Sequence, residues 1–129
     1  MPGTRAQSKN ITGYVTGYSN AAVTAAQVLN EFVAVSFGRI TGVKFYAVTA
    51  GTGGATTVGD VLKNGTSIWA TAANRPTLLA TSTGEFANSV GDAGSVAVRP
   101  GDRITLQINS ISSTGHARLM ATCAIEGNA

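Results

Sequence analysis

At 129 residues the chain is long enough for one domain, which at this size buries about two thirds of the surface it exposes when unfolded. It is 43% hydrophobic but only 12% charged, about half the ~25% usual in soluble domains, so Thr, Ser, Asn, Gly and Ala must cover most of the outside. The net charge of +3 comes from nine Lys and Arg scattered from Arg5 to Arg118 without a run, which argues against specific nucleic-acid binding, and no apolar stretch approaches the ~18 residues of a membrane span.

A poorly charged exterior suits a surface that meets other protein copies, because few charges have to be desolvated there. The plainer alternative is a secreted β domain with a Thr/Ser-rich surface. Residues 1–10 lack the apolar core of a secretory signal, so the expectation is a soluble chain that enters no secretory pathway by its own sequence. The single cysteine, Cys123, excludes an internal disulfide and a cysteine-based zinc site.

In chain order, Arg5 and Lys9 precede any acidic residue, and residues 1–14 are expected to form an extended N-terminal arm ahead of one domain spanning 15–129. Residues 21–30 are Ala-rich, which favours helix, but Val23, Thr24 and Val28 pull toward strand, and the stretch is read as extended. In residues 31–37 Val33, Val35 and Phe37 share one face of a strand. In residues 43–48 Val43, Phe45 and Ala47 alternate with Lys44, Tyr46 and Val48.

Lys63-Asn64-Gly65-Thr66 carries the positive-φ residues of a type I′ turn, so a hairpin is predicted with Lys63 opposite Thr66, Leu62 opposite Ser67 and Val61 opposite Ile68. Residues 70–95 show weak periodicity and are long for a connection, which makes them a candidate contact surface around Arg75. Val98-Arg99-Pro100-Gly101-Asp102-Arg103 reads as a type II turn capped by Asp102. It leads into a strand with Ile104, Leu106 and Ile108 inward. From 117 to 125, Leu119, Ala121, Cys123 and Ile125 point inward and Arg118, Met120, Thr122 and Ala124 outward, so Cys123 is a small core residue. Strands of this length between Gly-rich turns imply an antiparallel sandwich or barrel.

Little in this pattern suits catalysis. The one histidine, His116, follows Thr114-Gly115 and is expected as a surface turn residue, and the six acids are dispersed along the chain. Gly51-Thr52-Gly53-Gly54 lacks the following helix and lysine of a phosphate-binding loop. No catalytic residue, metal or cofactor is therefore expected. Trp69 and Tyr46, with Tyr14 and Tyr18, are read as core packing by default, or else as an interface anchor or a sugar-stacking platform.

Ile40-Thr41-Gly42-Val43-Lys44, the Gly-rich link, Asp60 through Trp69, and Asn74-Arg75-Pro76-Thr77-Leu78, followed by Val98 through Ile104, resemble a recurrent segment of bacteriophage virion β-sandwich domains over residues 28–126. The resemblance implies an all-β fold, an antiparallel jelly-roll-like β-sandwich with about eight strands. It implies a structural protein of the virion, most simply a capsid decoration or cement protein on the capsid exterior. Its partners would be the major capsid protein and further copies of itself in a homotrimer, with no membrane and no specific nucleic acid. The residues expected at such contacts are Arg5, Lys9, Tyr14, Trp69 and Arg75. The alternative is a carbohydrate- or receptor-binding module of a tail or head appendage, with a host glycan as partner.

Overall fold

The computed structural model describes residues 10–51, 56–79, 83–86, 90–111 and 114–128. Among these lie ten strands: β1 (Asn10–Ser19), β2 (Val28–Val33), β3 (Gly38–Thr49), β4 (Thr57–Lys63), β5 (Thr66–Ser67), β6 (Thr77–Leu78), β7 (Gly84–Phe86), β8 (Ala97–Val98), β9 (Arg103–Ile111) and β10 (Ala117–Asn128). A 3₁₀ turn covers Ala72–Asn74. The strands form two antiparallel sheets, a β-sandwich as the alternation predicted.

Sheet one runs β1-β10-β3-β7, with β8 also on β3. Sheet two runs β2-β9-β4-β5, with β6 also on β4. The pairing is nested. The first strand pairs with the last, β2 with β9, β3 with β7 and β8, and β4 with β5 and β6. The chain thus behaves as one long antiparallel ribbon rolled so that β1, β2, β3 and β4 alternate between the sheets.

The core between the sheets is what the period-two pattern dictates. Ile104, Leu106 and Ile108 of β9, Leu119, Ala121 and Cys123 of β10, and Val43, Phe45 and Ala47 of β3 are all buried. Each fully buried Leu, Ile or Phe contributes about 1.5–3 kcal/mol. Three register shifts interrupt the pairing, one of them at Leu29 of β2, and the other two reset the phase where the alternation alone would fail. Ile125 opposes Ile40 but Ala124 opposes Gly42, so Thr41 is the extra residue that lets both Ile40 and Val43 face inward. Asn109 plays the same part in β9, between Ile108 and Ile111.

Gly59 of β4 sits under the Phe45 ring, and a Cβ there would come within 2.5 Å of Cε2. The absence of a side chain at 59 is what admits the largest buried side chain of β3.

Both predicted turns form. Asn64 (φ 54°) and Gly65 (φ 86°) make the hairpin in the expected register, and the Ile68 amide donates to the Val61 carbonyl. Gly101 (φ 93°) completes the second turn, with the Asp102 amide on the Arg99 carbonyl and the Arg99 amide on Asp102 Oδ2. The two turns are tied to each other. Asn64 Nδ2 donates to Asp102 Oδ1 at 3.0 Å, and the Arg103 amide donates to Asn64 Oδ1 at 2.9 Å.

Other expectations need correction. Residues 10–14 are not part of an arm. They belong to β1, paired with β10 from Asn10 opposite Asn128, so the expected boundary at 14/15 falls inside a strand. Of residues 21–30, read as extended, only Val28 onward is strand, and residues 21–27 form a connection with a turn at Ala25-Ala26, where Ala26 takes φ 63° and Val23 is buried. The strand expected over residues 31–37 ends at Val33. Beyond it the chain arches across one end of the sandwich to β3. Phe32 and Ala34 pack toward the core, and this leaves Val33, Val35 and Phe37 facing outward, 60%, 90% and 66% exposed.

Candidate interaction surface

Asp60 lies between Gly59 and Val61, which turn into the core, so its carboxylate points to the opposite side of sheet two. It is nonetheless buried, because residues 67–76 cover it. Oδ1 accepts from the Val61 amide at 2.8 Å and from Ser67 Oγ at 2.7 Å, and Oδ2 accepts from Asn109 Nδ2 at 3.4 Å. Arg75 Nε stands 3.6 Å from Oδ2, and Arg75 Nη2 donates to the Trp69 carbonyl at 3.2 Å. Burial raises the carboxyl above its ordinary value, and the Ser67 hydrogen bond, the Arg75 charge and the Val61 amide oppose that rise. Arg75, expected at a contact surface, instead pins the 69–76 segment over Asp60, with its side chain only 17% exposed.

Trp69 is also placed differently from an interface anchor. It is fully buried in the core cluster, two residues beyond β5, the strand by which the hairpin joins sheet two. His116 is likewise buried rather than a surface turn residue. Its Nε2 lies 3.0 Å from the Leu79 carbonyl and its Nδ1 2.8 Å from Thr57 Oγ1. A carbonyl only accepts, so Nε2 carries a proton. The imidazole ties the start of β10 to β4 and β6. Cys123 is buried as expected, and burial pushes its thiol up to about 12. Among the described residues no three His, Cys, Asp or Glu side chains stand together as a metal site.

The outward side of sheet one is different in character. Strand register sets Tyr14 beside Ala124 and Gly42, Thr16 beside Thr122 and Lys44, and Tyr18 beside Met120 and Tyr46. Neighbouring strands stand about 4.8 Å apart, so these residues form three short rows of side chains on one face. Tyr14, Tyr18, Tyr46 and Met120 are all exposed, and Lys44 is the one ionisable cation among the nine positions. Over Gly42 and Ala124 the face dips into a hollow of about 280 Å³, rimmed by Tyr14, Lys44 and Thr122.

The structure places one expected contact residue, Tyr14, on this face. Arg5 and Lys9 lie outside the described residues. Sequence reasoning marked Met120 as outward, but its default of core packing for Tyr14, Tyr18 and Tyr46 is corrected by their exposure, and it had no means of setting these residues side by side, because strand register between β1, β10 and β3 is a long-range property.

The fold and this face define the chain as a β-sandwich that presents an aromatic patch with one cation over three rows of sheet one, bordered by the Glu126-Arg39 row. No protein-family model matches the chain, and none of the curated proteins matches it.

Proposed function

We propose that this chain is a non-enzymatic structural protein of a bacteriophage virion, a decoration or cement protein that sits on the capsid exterior and ties major capsid subunits together. The observation that carries the reading is the outer face of sheet one, with its Tyr18-Met120-Tyr46 row and hollow over Gly42 and Ala124. Interface cores are enriched in Tyr and Met and depleted of Lys, Glu and Asp. The nested pairing of β1 with β10 through β4 with β5 and β6 supports the jelly-roll form of the sandwich, an architecture shared with viral capsid domains. The buried polar groups support a structural role, since Asp60, Arg75 and His116 each bridge separate segments of chain.

A protein that binds only the assembled lattice stabilises it by mass action, and repeated copies multiply the effect. The test is binding of purified protein to expanded, undecorated capsids, with the capsid melting temperature as readout. Binding with a raised melting temperature is expected. No binding and an unchanged temperature overturn the reading.

The second reading, a carbohydrate-binding appendage module, is favoured by the exposed Tyr46 and Tyr18, whose ring faces suit sugar stacking. It no longer has Trp69 available. A glycan array separates the two, because a cement protein shows no sugar preference.

A further inference from the structure

Asn64-Gly65 is the single Asn-Gly step in the chain, and it lies at the exposed tip of the β4–β5 hairpin. An asparagine in this position carries its own reactive partner. The backbone nitrogen of the next residue is a nucleophile for the side-chain carboxamide carbon, and glycine has no side chain to hinder the approach. Here that nitrogen is accessible. Gly65 is exposed, its amide has no hydrogen-bond partner among the described residues, and the one atom within 4 Å of the place a Cβ would take is Arg103 Nη2, at 3.4 Å.

What opposes the reaction is the position of the carboxamide. Asn64 takes φ 54° in the two-residue turn and reaches across to the second turn, where Nδ2 donates to Asp102 Oδ1 at 3.0 Å and Oδ1 accepts from the Arg103 amide at 2.9 Å. Both polar atoms of the carboxamide are thus bound by another segment of the chain. The backbone is fixed as well, because the Asn64 amide donates to the Arg103 carbonyl at 2.8 Å.

We propose that Asn64 is a modification site, a self-deamidating asparagine whose reaction is gated by this clamp between the two turns. With the clamp open, the Gly65 N–H gives its proton to solvent hydroxide and the nitrogen bonds to Asn64 Cγ. The Cγ–Nδ2 bond then breaks, and the departing nitrogen takes a proton from water and leaves as ammonia. Water opens the resulting cyclic imide at one of its two carbonyls, to aspartate or to isoaspartate at position 64. No co-reactant other than water is required, and the inference stands independently of the capsid reading.

The product does not fit the clamp. An aspartate at 64 keeps an oxygen for the Arg103 amide but replaces the donor to Asp102 with a second carboxylate. Asp102 is itself held ionised, since the Arg99 amide and then the Asn64 side chain keep its carboxyl below the ordinary value. Two like charges then stand where a hydrogen bond stood. Isoaspartate also adds a methylene to the backbone between the register partners Lys63 and Thr66, which a two-residue turn does not accommodate. The Asp102 turn holds the arch after β2 as well, through the Ala34 amide on the Asp102 carbonyl and the Gly101 amide on the Ala34 carbonyl, both 2.8 Å. The modification therefore falls at a junction of three segments.

Peptide mapping by mass spectrometry, after storage of the full chain in warm, mildly alkaline buffer, tests this with aspartate and isoaspartate at 64 as the readout. The native protein is expected to react at least ~10-fold more slowly than the same protein unfolded in urea, and equal rates overturn the gate. Asp102→Ala removes the acceptor for Nδ2 and should speed the reaction about 10-fold while the circular dichroism spectrum is kept. Gly59→Ala strains the core without touching the clamp and should stay within about twofold of the wild-type rate. An unchanged rate in Asp102→Ala overturns the proposal. So does an equal acceleration in Gly59→Ala, which would assign the reaction to global unfolding. Asn64→Asp supplies the product directly. In that background Asp102→Ala relieves the repulsion and should cost less stability than it does in wild type, and an unchanged cost would show that the product leaves the clamp intact.

Discussion

Asp60 is a charge held away from water by four surrounding groups, and its environment sets a specific pH response. Its carboxyl is raised above 3.8 by burial, so between that value and the folded-state value the unfolded chain ionises first and stability falls as pH rises. Asp60→Asn removes this slope. In urea denaturation series from about pH 3 to pH 7, the stability of wild type relative to Asp60→Asn is therefore expected to decline with rising pH, and a flat difference would show that the carboxyl is not raised. Arg75→Met should steepen the decline and cost about 2 kcal/mol at neutral pH. That is below the ~3–5 of a fully stripped ion pair, because Asp60 keeps Val61, Ser67 and Asn109. Cys123 makes a simpler case. With its thiol buried and pushed up to about 12, it should react with a thiol reagent only as fast as the sandwich opens, and reaction at the rate of a free thiol would contradict the burial.

At the scale of elements, the sandwich is joined by a few close fits that single substitutions can probe. Gly59→Ala places a Cβ against the Phe45 ring and should destabilise the protein by about 1–3 kcal/mol, with part of the loss recovered when Phe45→Leu is added. Additive costs in that double variant would mean the two positions do not touch. The link between the two turns is a second such fit. Asn64→Ala and Asp102→Ala each break the 3.0 Å bond between them, so the double variant should cost less than the sum of the singles in chemical denaturation. The turns themselves were legible in the sequence because Asn-Gly and Pro-Gly dictate local dihedral angles. Their connection to each other was not, since it joins positions 38 residues apart.

For the whole molecule, the consequence is a division of labour between surfaces. Sheet two is covered at Asp60 by its own 67–76 segment, while sheet one keeps its outer face open. If that face meets the capsid, Tyr46→Lys should weaken capsid binding at least about tenfold, near 1.4 kcal/mol, without changing the thermal stability of the isolated protein by more than a few degrees. An unchanged affinity would move the contact elsewhere.

The sequence by itself determined the class of fold, both turns, the inward set of β9 and β10 and the burial of Cys123, because each depends on alternation or on local dihedral preference within about ten residues. Tertiary structure alone decided that His116 is interior, that Trp69 takes its core reading rather than its interface one, that Arg75 serves Asp60, and that Val33, Val35 and Phe37 face solvent. Alternation shows which side chains share a face but not which face meets the core. That choice belongs to the partner strands and to the bulges at Thr41 and Asn109, which no local pattern encodes.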